Sequence, residues 1–174
     1  MDELDENERR IHRDWYVLHC KPRTEKRVFE YLKAYGYFRY LPLRTKTVRV
    51  QRRRRTTYLP LFTGYVFARL WPEERLKMLK TNLLVRAIFV DQPRKLVHQL
   101  RQVNRALKAK PDLIPASQMF HAGERVQVVY GPFRGLEGIV KRTQGDLKVV
   151  LNVEMIGTSV ELSIQPSDIV LKKS

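Results

Sequence analysis

The sequence predicts an α+β protein of two domains: an αβ sandwich with a mostly antiparallel sheet, followed by a small five-stranded β-barrel. Strand and helix patterns alternate in the first part of the chain, a proline-containing segment without periodicity follows, and short alternating apolar segments fill the rest. Helices that back an antiparallel sheet are typical of α+β folds. We therefore predict an acidic disordered tail at 1–14, the αβ domain at 15–108, a linker at 109–119 and the barrel at 120–174.

The αβ domain is predicted to follow the order β-α-β-β-β-α-β-α. Aromatic and β-branched residues favour a strand at 15–20. Apolar residues at helical spacing favour a helix over 24–35, where Gly36 can supply the left-handed residue that ends many helices. The other strands are expected at 37–43, at 45–51, within 58–70 and at 84–90, and the other helices at 72–80 and from Pro93 onward.

The last helix of this domain carries an apolar stripe. Its apolar residues recur at i, i+4, i+7 and i+11, which places them on one side of a helix. They are Leu96, Leu100, Val103 and Leu107. We expect this side to pack against a sheet.

The second domain has a different sequence pattern. Short segments of alternating apolar residues predict five brief strands, and a barrel of this size removes the exposed edges that an open sheet would leave. The segments contain Val126 and Val128, Ile139 and Val140, Leu147 to Val153, Val160 to Ile164, and Ile169 to Leu171.

Positive charge is concentrated in one part of the chain. Residues 15–110 hold 24 Lys and Arg against five Asp and Glu, whereas residues 1–14 carry a net charge of −3 and residues 111–174 are neutral. A domain with this excess attracts polyanions, and the attraction weakens with salt because counterions are released. Nucleic acid is the expected partner; a basic surface that only favours solubility, or one that binds an acidic protein, is the alternative.

Several functional classes find no support in the sequence. The longest apolar runs are far shorter than the roughly 20 residues that cross a bilayer, and the acidic start does not resemble a signal peptide. Cys20 is the only cysteine, and the histidines His12, His19, His98 and His121 lack metal-ligand spacing. We expect a cytoplasmic protein without membrane, metal or cofactor, and no catalytic residues, because no nucleophile, paired-carboxylate or phosphate-loop pattern is present.

A glycine-rich turn between two predicted strands gives the sharpest motif. The segment contains Gly131, Pro132, Phe133, Gly135 and Gly138. Proline fixes φ and glycine permits positive φ, so the segment predicts a tight turn. Its spacing resembles the KOW motif of NusG-type transcription factors and of several ribosomal proteins. A carboxy-terminal KOW barrel after a linker and an aromatic αβ domain resembles the NusG family, including its specialised RfaH-like members.

Two aromatic segments of the αβ domain strengthen this resemblance. The strand that starts at Trp15 is similar to the family's opening strand, and Leu61 to Phe67 is similar to its Phe-Pro-Gly-Tyr-Val stretch, with Thr63 in place of proline. The resemblance implies a hydrophobic depression that binds the clamp helices of the largest RNA polymerase subunit. The implied contact residues are Trp15, Val17, Phe62, Gly64 and Tyr65. The alternative is that these side chains belong to the core.

Basic residues in two places are candidates for nucleic-acid binding. Arg52, Arg53, Arg54 and Arg55 are predicted to form a cationic hairpin tip, where adjacent guanidinium groups can bind phosphates. Lys21 and Arg27 match basic positions that RfaH-like proteins use toward the non-template DNA strand. The alternative for the arginine run is a solvated surface without a ligand.

The barrel offers one candidate contact of its own. Met155 and Ile156 stand where NusG-type barrels present a hairpin to a small-subunit ribosomal protein or to the Rho termination factor. Exposed Met and Ile side chains suit such a contact. This hairpin lacks the Phe and Gly-Arg that the family often carries, and a core position for both residues is the alternative.

Together the resemblance implies a monomeric elongation and antitermination factor. Its first domain would bind RNA polymerase and the upstream or non-template DNA and suppress pausing, and its barrel would recruit a second partner. The excess positive charge favours an RfaH-like specialisation. A ribosome-associated RNA-binding KOW protein is the alternative, since KOW barrels and basic domains also occur there.

Overall fold

The computed structural model describes residues 13–51, 53–116, 118–119, 121–143 and 146–172. The predicted acidic tail lies outside these residues except for Arg13 and Asp14, and Asp14 begins the first strand. No helix within the described ranges is long and apolar enough to cross a membrane.

The α+β prediction is confirmed by the order of the elements. The helices are α1 (Glu25–Ala34), α2 (Pro72–Lys80) and α3 (Pro93–Ala109). The strands are β1 (Asp14–Cys20), β2 (Phe38–Tyr40), β3 (Leu43–Val50), β4 (Arg53–Pro60), β5 (Tyr65–Leu70), β6 (Leu84–Phe89), β7 (Pro115–Ala116), β8 (Arg125–Val128), β9 (Glu137–Thr143), β10 (Asp146–Val153), β11 (Thr158–Ser163) and β12 (Ile169–Leu171). Short 3₁₀ turns cover Glu154–Ile156 and Pro166–Asp168.

The described residues form two compact units. The first combines the chain up to Leu41 with Thr63–Pro93, and the second combines Pro42–Phe62 with the chain from Arg94 onward. The hairpin of β3 and β4 and the helix α3 therefore group with the barrel strands, whereas the sequence assigned both to the first domain. The boundaries at 15–108 and 120–174 stay predictions.

A four-stranded antiparallel sheet forms the centre of the first unit, in the order β2-β5-β1-β6. Alternate residues of a strand point to opposite faces. Leu18 of β1 and Val66 of β5 face a core to which α1 contributes Val28 and Leu32 and α2 contributes Met78. The helices begin and end close to their predicted positions because Pro72 suits the first turn of α2 and Gly36, at φ 67°, follows α1.

The hairpin of β3 and β4, called the ribbon below, corrects one prediction. The sequence places a cationic tip at Gln51 to Arg55, but Arg53–Pro60 is a strand that pairs with Leu43–Val50 along its whole length. Only residues 51 and 52 connect the strands, and Gln51 takes a φ of 47°, as short hairpin connections require. Arg52 lies outside the described residues.

Antiparallel strands in the order β12-β8-β9-β10-β11-β7 make up the second unit's sheet. The five predicted strands correspond to β8 through β12 and are confirmed. The additional strand β7 lies inside the predicted linker, where Pro115 pairs with Val160 and Ala116 with Ser159. The predicted stripe of α3 is also confirmed, since Leu96, Leu100, Val103 and Leu107 are all buried.

The glycine-rich segment forms the predicted turn between β8 and β9. Gly131 and Gly135 have φ values of 77° and 85°, and the Gly135 amide donates to the Val128 carbonyl at 2.8 Å. Gly138 is needed for a different reason. A Cβ there would lie 2.5 Å from Val149 Cγ1 and 2.6 Å from the Val150 carbonyl oxygen, so β9 and β10 approach closely only because this position has no side chain.

Substitution of Gly138 tests this close approach. Gly138→Ala forces two strands apart, and we expect a loss of about 1–3 kcal/mol in the free energy of unfolding. Gly157→Asn is the matched control, because Gly157 has a φ of 64° with open space around it, and asparagine tolerates that conformation. Urea unfolding of both variants checks the expectation; an equal effect of the two substitutions would contradict it.

Candidate functional site

One face of the first unit's sheet collects most of the residues that the sequence singled out for polymerase binding. Residues directly opposite each other on antiparallel strands share a face, and the register pairs Trp15 with Arg69, Val17 with Phe67 and His19 with Tyr65. Tyr16, Leu18 and Cys20 alternate with them and face the core. Trp15, Val17 and Tyr65 therefore lie on the face that is directed away from α1 and α2.

The two ends of this face differ from its middle. Val17 has no exposed surface, whereas Trp15 and Tyr65 are half-buried. The Tyr65 ring stacks on His19 with centroids 5.2 Å apart, and the Trp15 ring meets Phe38 edge-on at 5.3 Å. Trp15 and Tyr65 each keep part of their surface exposed at the two ends of β1, which suits aromatic anchors of a protein interface.

Phe62 differs from Tyr65 in its exposure. Only 3% of Phe62 is exposed, so its ring is packed inside in this conformation. Phe62 and Val17 therefore occupy core positions, which is the alternative interpretation that the sequence left open for these residues. Trp15 and Tyr65 are thus the accessible aromatic residues of the predicted set.

The backbone of Gly64 is held from two sides. The Cys20 amide donates to the Gly64 carbonyl at 2.7 Å, and the Gly64 amide donates to Glu25 Oε1, also at 2.7 Å. Gly64 has a φ of 85°, which glycine adopts readily. Because both of its peptide groups are bonded, Gly64 fixes the direction in which the chain enters β5 and the position of the Tyr65 ring.

Glu25 is a site residue that sequence reasoning missed. It is 4% exposed and lies in the first turn of α1, where the helix dipole favours a negative charge. Its bond to Gly64 joins residues 39 positions apart. An acid at the start of a predicted helix indicates that it compensates the helix dipole. It does not indicate that the acid binds the distant Gly64 amide.

Cys20 is buried behind the same segment. Burial, and next the nearby Glu25 carboxylate, raise the pKa of the Cys20 thiol to about 12. The thiolate is the reactive form of cysteine, so this thiol is inert at neutral pH. It is a core residue rather than a nucleophile or redox sensor.

The candidate nucleic-acid residues fall in both units. In the first unit, Arg27 is exposed on α1, and the Lys21 ammonium donates to Asn82 Oδ1. In the second unit, Arg53, Arg54 and Arg55 are exposed on β4. Arg27 in the first unit and the three arginines of β4 in the second unit present positive charge to solvent.

Met155 and Ile156 are half-buried in the 3₁₀ turn between β10 and β11, which ends at Gly157. The preceding residue, Glu154, is bound to α3. Lys95 Nζ lies 2.6 Å from the Glu154 carboxylate, and Gln99 both donates to that carboxylate at 3.1 Å and accepts from the Glu154 amide at 3.2 Å. Helix α3 therefore lies directly beside the candidate contact of the barrel.

The described part of the chain contains no group of three or more His, Cys, Asp or Glu side chains that could hold a metal ion. The arrangement offers surfaces for contact: aromatic rings on a sheet face, exposed guanidinium groups, and an antiparallel sheet with a tight glycine turn. Exposed arginines and partly exposed aromatic residues are typical of proteins that bind other macromolecules.

A family model described as NusG, transcription termination factor nusG, matches residues 13–122. The chain therefore belongs to the NusG family of transcription factors. The predicted family is confirmed, as is the prediction that the chain is not an enzyme, because the proteins of this family are non-enzymatic transcription factors.

Two solved structures align with nearly the whole length of the chain. One, described as domain interaction in Thermotoga maritima NusG, has 18% identity and a TM-score of 0.48, over 91% of this chain and 97% of that chain. The other, described as the crystal structure of the MjSpt4:Spt5 complex in conformation B, has 10% identity and a TM-score of 0.29, over 92% of this chain and 97% of that chain.

Substitution of Glu25 tests the support of Gly64. Glu25→Ala leaves the Gly64 amide without its acceptor, and we expect a loss of about 1–3 kcal/mol in the free energy of unfolding. Faster hydrogen exchange of the Gly64 amide should accompany it. Glu30→Ala is the control on the same helix. Glu30 is exposed, and its carboxylate lies 3.9 Å from the Lys33 ammonium, which is too far for a hydrogen bond. Unchanged exchange at Gly64 would contradict the assigned role.

The reactivity of Cys20 tests its burial. A pKa raised to about 12 leaves little thiolate at pH 8, so we expect alkylation by iodoacetamide to be slow in the folded protein and fast in urea. The raised pKa also means that the neutral thiol stabilises the fold at neutral pH, and that this contribution is lost as the pH rises toward 12. Rapid native-state alkylation at pH 8 would show that the thiol is accessible.

Proposed function

We propose that this protein is an elongation and antitermination factor that binds the clamp helices of the largest RNA polymerase subunit through the aromatic sheet face. Membership of the NusG family supports the class of function. The observation that carries the assignment to this face is the accessible Tyr65 ring, held on a segment that is bonded on both sides of Gly64. A pre-positioned aromatic ring loses little conformational freedom on binding.

Basic side chains would bind the DNA that runs beside the polymerase. The net charge of residues 15–110 supports an attraction to the upstream or non-template strand. Lys21 and Arg27 on the first unit, and Arg52 to Arg55 on the ribbon, are the proposed contacts. A factor that binds the clamp and DNA together opposes clamp opening, and pausing falls as a result. The excess positive charge of residues 15–110 is our basis for proposing an RfaH-like specialisation.

The barrel would recruit a second partner while the first domain stays bound. Met155 and Ile156 are half-buried, so part of each side chain remains available to a small-subunit ribosomal protein or to Rho. Residues 109–119 would serve as the connection between the two functions. We propose that the protein acts as a monomer in the cytoplasm.

The ribosome-associated alternative is less well supported. The family match covers residues 13–122, which lie almost entirely outside the barrel. A KOW protein of the ribosome would share the barrel but would not need the first domain. Co-purification with polymerase subunits distinguishes the two functions, since co-sedimentation with ribosomal particles alone would favour the alternative.

Replacement of Tyr65 tests the docking face. If Tyr65 is a central anchor, Tyr65→Ala should weaken polymerase binding by about 2 kcal/mol or more, which is roughly 30-fold in the dissociation constant. Pause suppression should decline in parallel. Phe62→Ala is a poorer test, because removal of a buried ring also destabilises the fold.

Tyr130→Ala is the matched control for this experiment. Tyr130 is 67% exposed and belongs to the second unit, so its loss should leave polymerase binding unchanged. The affinities are compared at equal salt, with the melting temperature of each variant measured alongside. Equal affinity of wild type and Tyr65→Ala would remove the sheet face from the proposed interface.

A further inference from the structure

The ribbon concentrates positive charge without any compensating acid. Residues 43–60 contain seven Lys and Arg and no Asp or Glu. Among the residues that the structure describes, no carboxylate lies within 4.0 Å of a ribbon cation. Within the described part of the chain, the charge of the ribbon is therefore directed to solvent or to a ligand.

The register divides these cations between two faces. Opposite residues share a face and neighbours along a strand alternate. One face carries Arg49 and Arg54, which pair directly. The other face carries Arg53 and Arg55, which pair with Val50 and Val48. All four arginines are exposed. Both faces therefore carry positive charge at the end of the ribbon.

The Arg49–Arg54 pair is unfavourable in the free protein. Like charges that lie directly opposite on two strands destabilise a sheet. An anion between or beside the two guanidinium groups removes this repulsion, and phosphate accepts paired bonds from arginine. The pair thus favours a polyanionic ligand. A surface that serves only solubility does not require two like charges directly opposite each other.

The size of the charged end limits the ligand. Three residues of strand, from Arg53 to Arg55, extend about 10 Å, and the major groove of B-form DNA is about 8.5 Å deep and 12 Å wide, enough to admit a two-stranded ribbon. A single strand contacts one face at a time and favours aromatic stacking, but Tyr58 is the only aromatic residue in 43–60. The major groove of A-form RNA is too narrow for side chains to enter.

We propose that the ribbon enters the major groove of B-form duplex DNA tip first, with Arg49 and Arg54 against the phosphates of one strand and Arg53 and Arg55 against those of the other. This inference rests on the proposed function and specifies its DNA as double-stranded. Because the contacts are to phosphates, they position the protein without reading the base sequence. Both faces are required, since each groove wall belongs to a different strand.

Two double variants of the full chain test this arrangement. Arg49→Gln with Arg54→Gln removes the charge of one face, and Arg53→Gln with Arg55→Gln removes that of the other. Binding to a 20-base-pair duplex is measured by fluorescence anisotropy over a range of salt concentrations. Each pair should reduce the slope of log affinity against log salt by about 2, the expectation for two lost phosphate contacts.

Lys77→Gln with Lys80→Gln is the matched control. It removes the same charge from the exposed side of α2, in the first unit. We expect a smaller change in slope from this variant. If only one ribbon pair lowers the slope, the ribbon lies flat on one strand and the groove arrangement is wrong; if neither does, the ribbon does not bind DNA.

Competition with other nucleic acids separates this inference from the proposed function. The same sequence as single-stranded DNA, and as double-stranded RNA, should compete less well than the duplex. Tighter binding of the single strand would overturn the groove arrangement but leave DNA binding in place. Polymerase binding is measured separately with Tyr65→Ala. The outcome of that experiment does not depend on whether the ribbon binds duplex DNA.

A stability measurement gives a second readout. Arg54→Thr removes the like-charge pair and adds a residue that favours strands, so we expect a higher melting temperature together with weaker duplex binding. A merely structural role of Arg54 predicts that both quantities fall together. That result would contradict the assignment of the pair to a ligand.

Discussion

The pairing of β1 on both of its sides is the constraint on which the first unit depends. Its neighbours are β5 and β6, so β1 has no free edge and its side chains must alternate between two faces. Leu18 and Cys20 are directed into the core, and Trp15 and Val17 are directed to the opposite face. A shift of one residue in this register would exchange the two sets, and with them the core and the candidate site.

The same pairing continues into the segment that precedes β5. The last register pair is His19 with Tyr65, and the Cys20 amide then bonds to Gly64. Glu25 reaches the other side of this glycine from the start of α1. One sheet register and one helix start therefore determine where the Tyr65 ring lies. The backbone of the aromatic site is therefore bonded into the fold rather than part of a free loop.

Much of this arrangement was predictable because its causes are local. Pro72 specifies the start of α2, Gly36 follows the end of α1, and the apolar spacing of α3 identifies its buried side. The glycine turn and the barrel strands were likewise visible as short patterns. Where the spacing of apolar residues and the residues at the ends of an element indicate the same structure, the sequence predicts that element well.

The failures have nonlocal causes. Arg53 to Arg55 form a strand although arginine runs do not indicate one, because pairing with β3 determines their conformation. The partner of Glu25 is 39 residues distant, and no local pattern encodes it. Phe62 and Tyr65 are close in sequence and similar in chemistry, yet only Phe62 is fully buried. Tertiary packing decided each case.

The ribbon shows where local preference and fold disagree most. Its strands are held by a complete ladder of backbone pairs, while its side chains place Arg49 opposite Arg54 and its own sequence contains no acid. A conflict of this kind is expected at functional sites, where stability is lost in exchange for binding. The sheet face follows the opposite principle, since its aromatic rings are supported by core packing and hydrogen bonds. The two proposed partners match this difference, since we propose apolar clamp helices as the ligand of the sheet face and duplex DNA as the ligand of the ribbon.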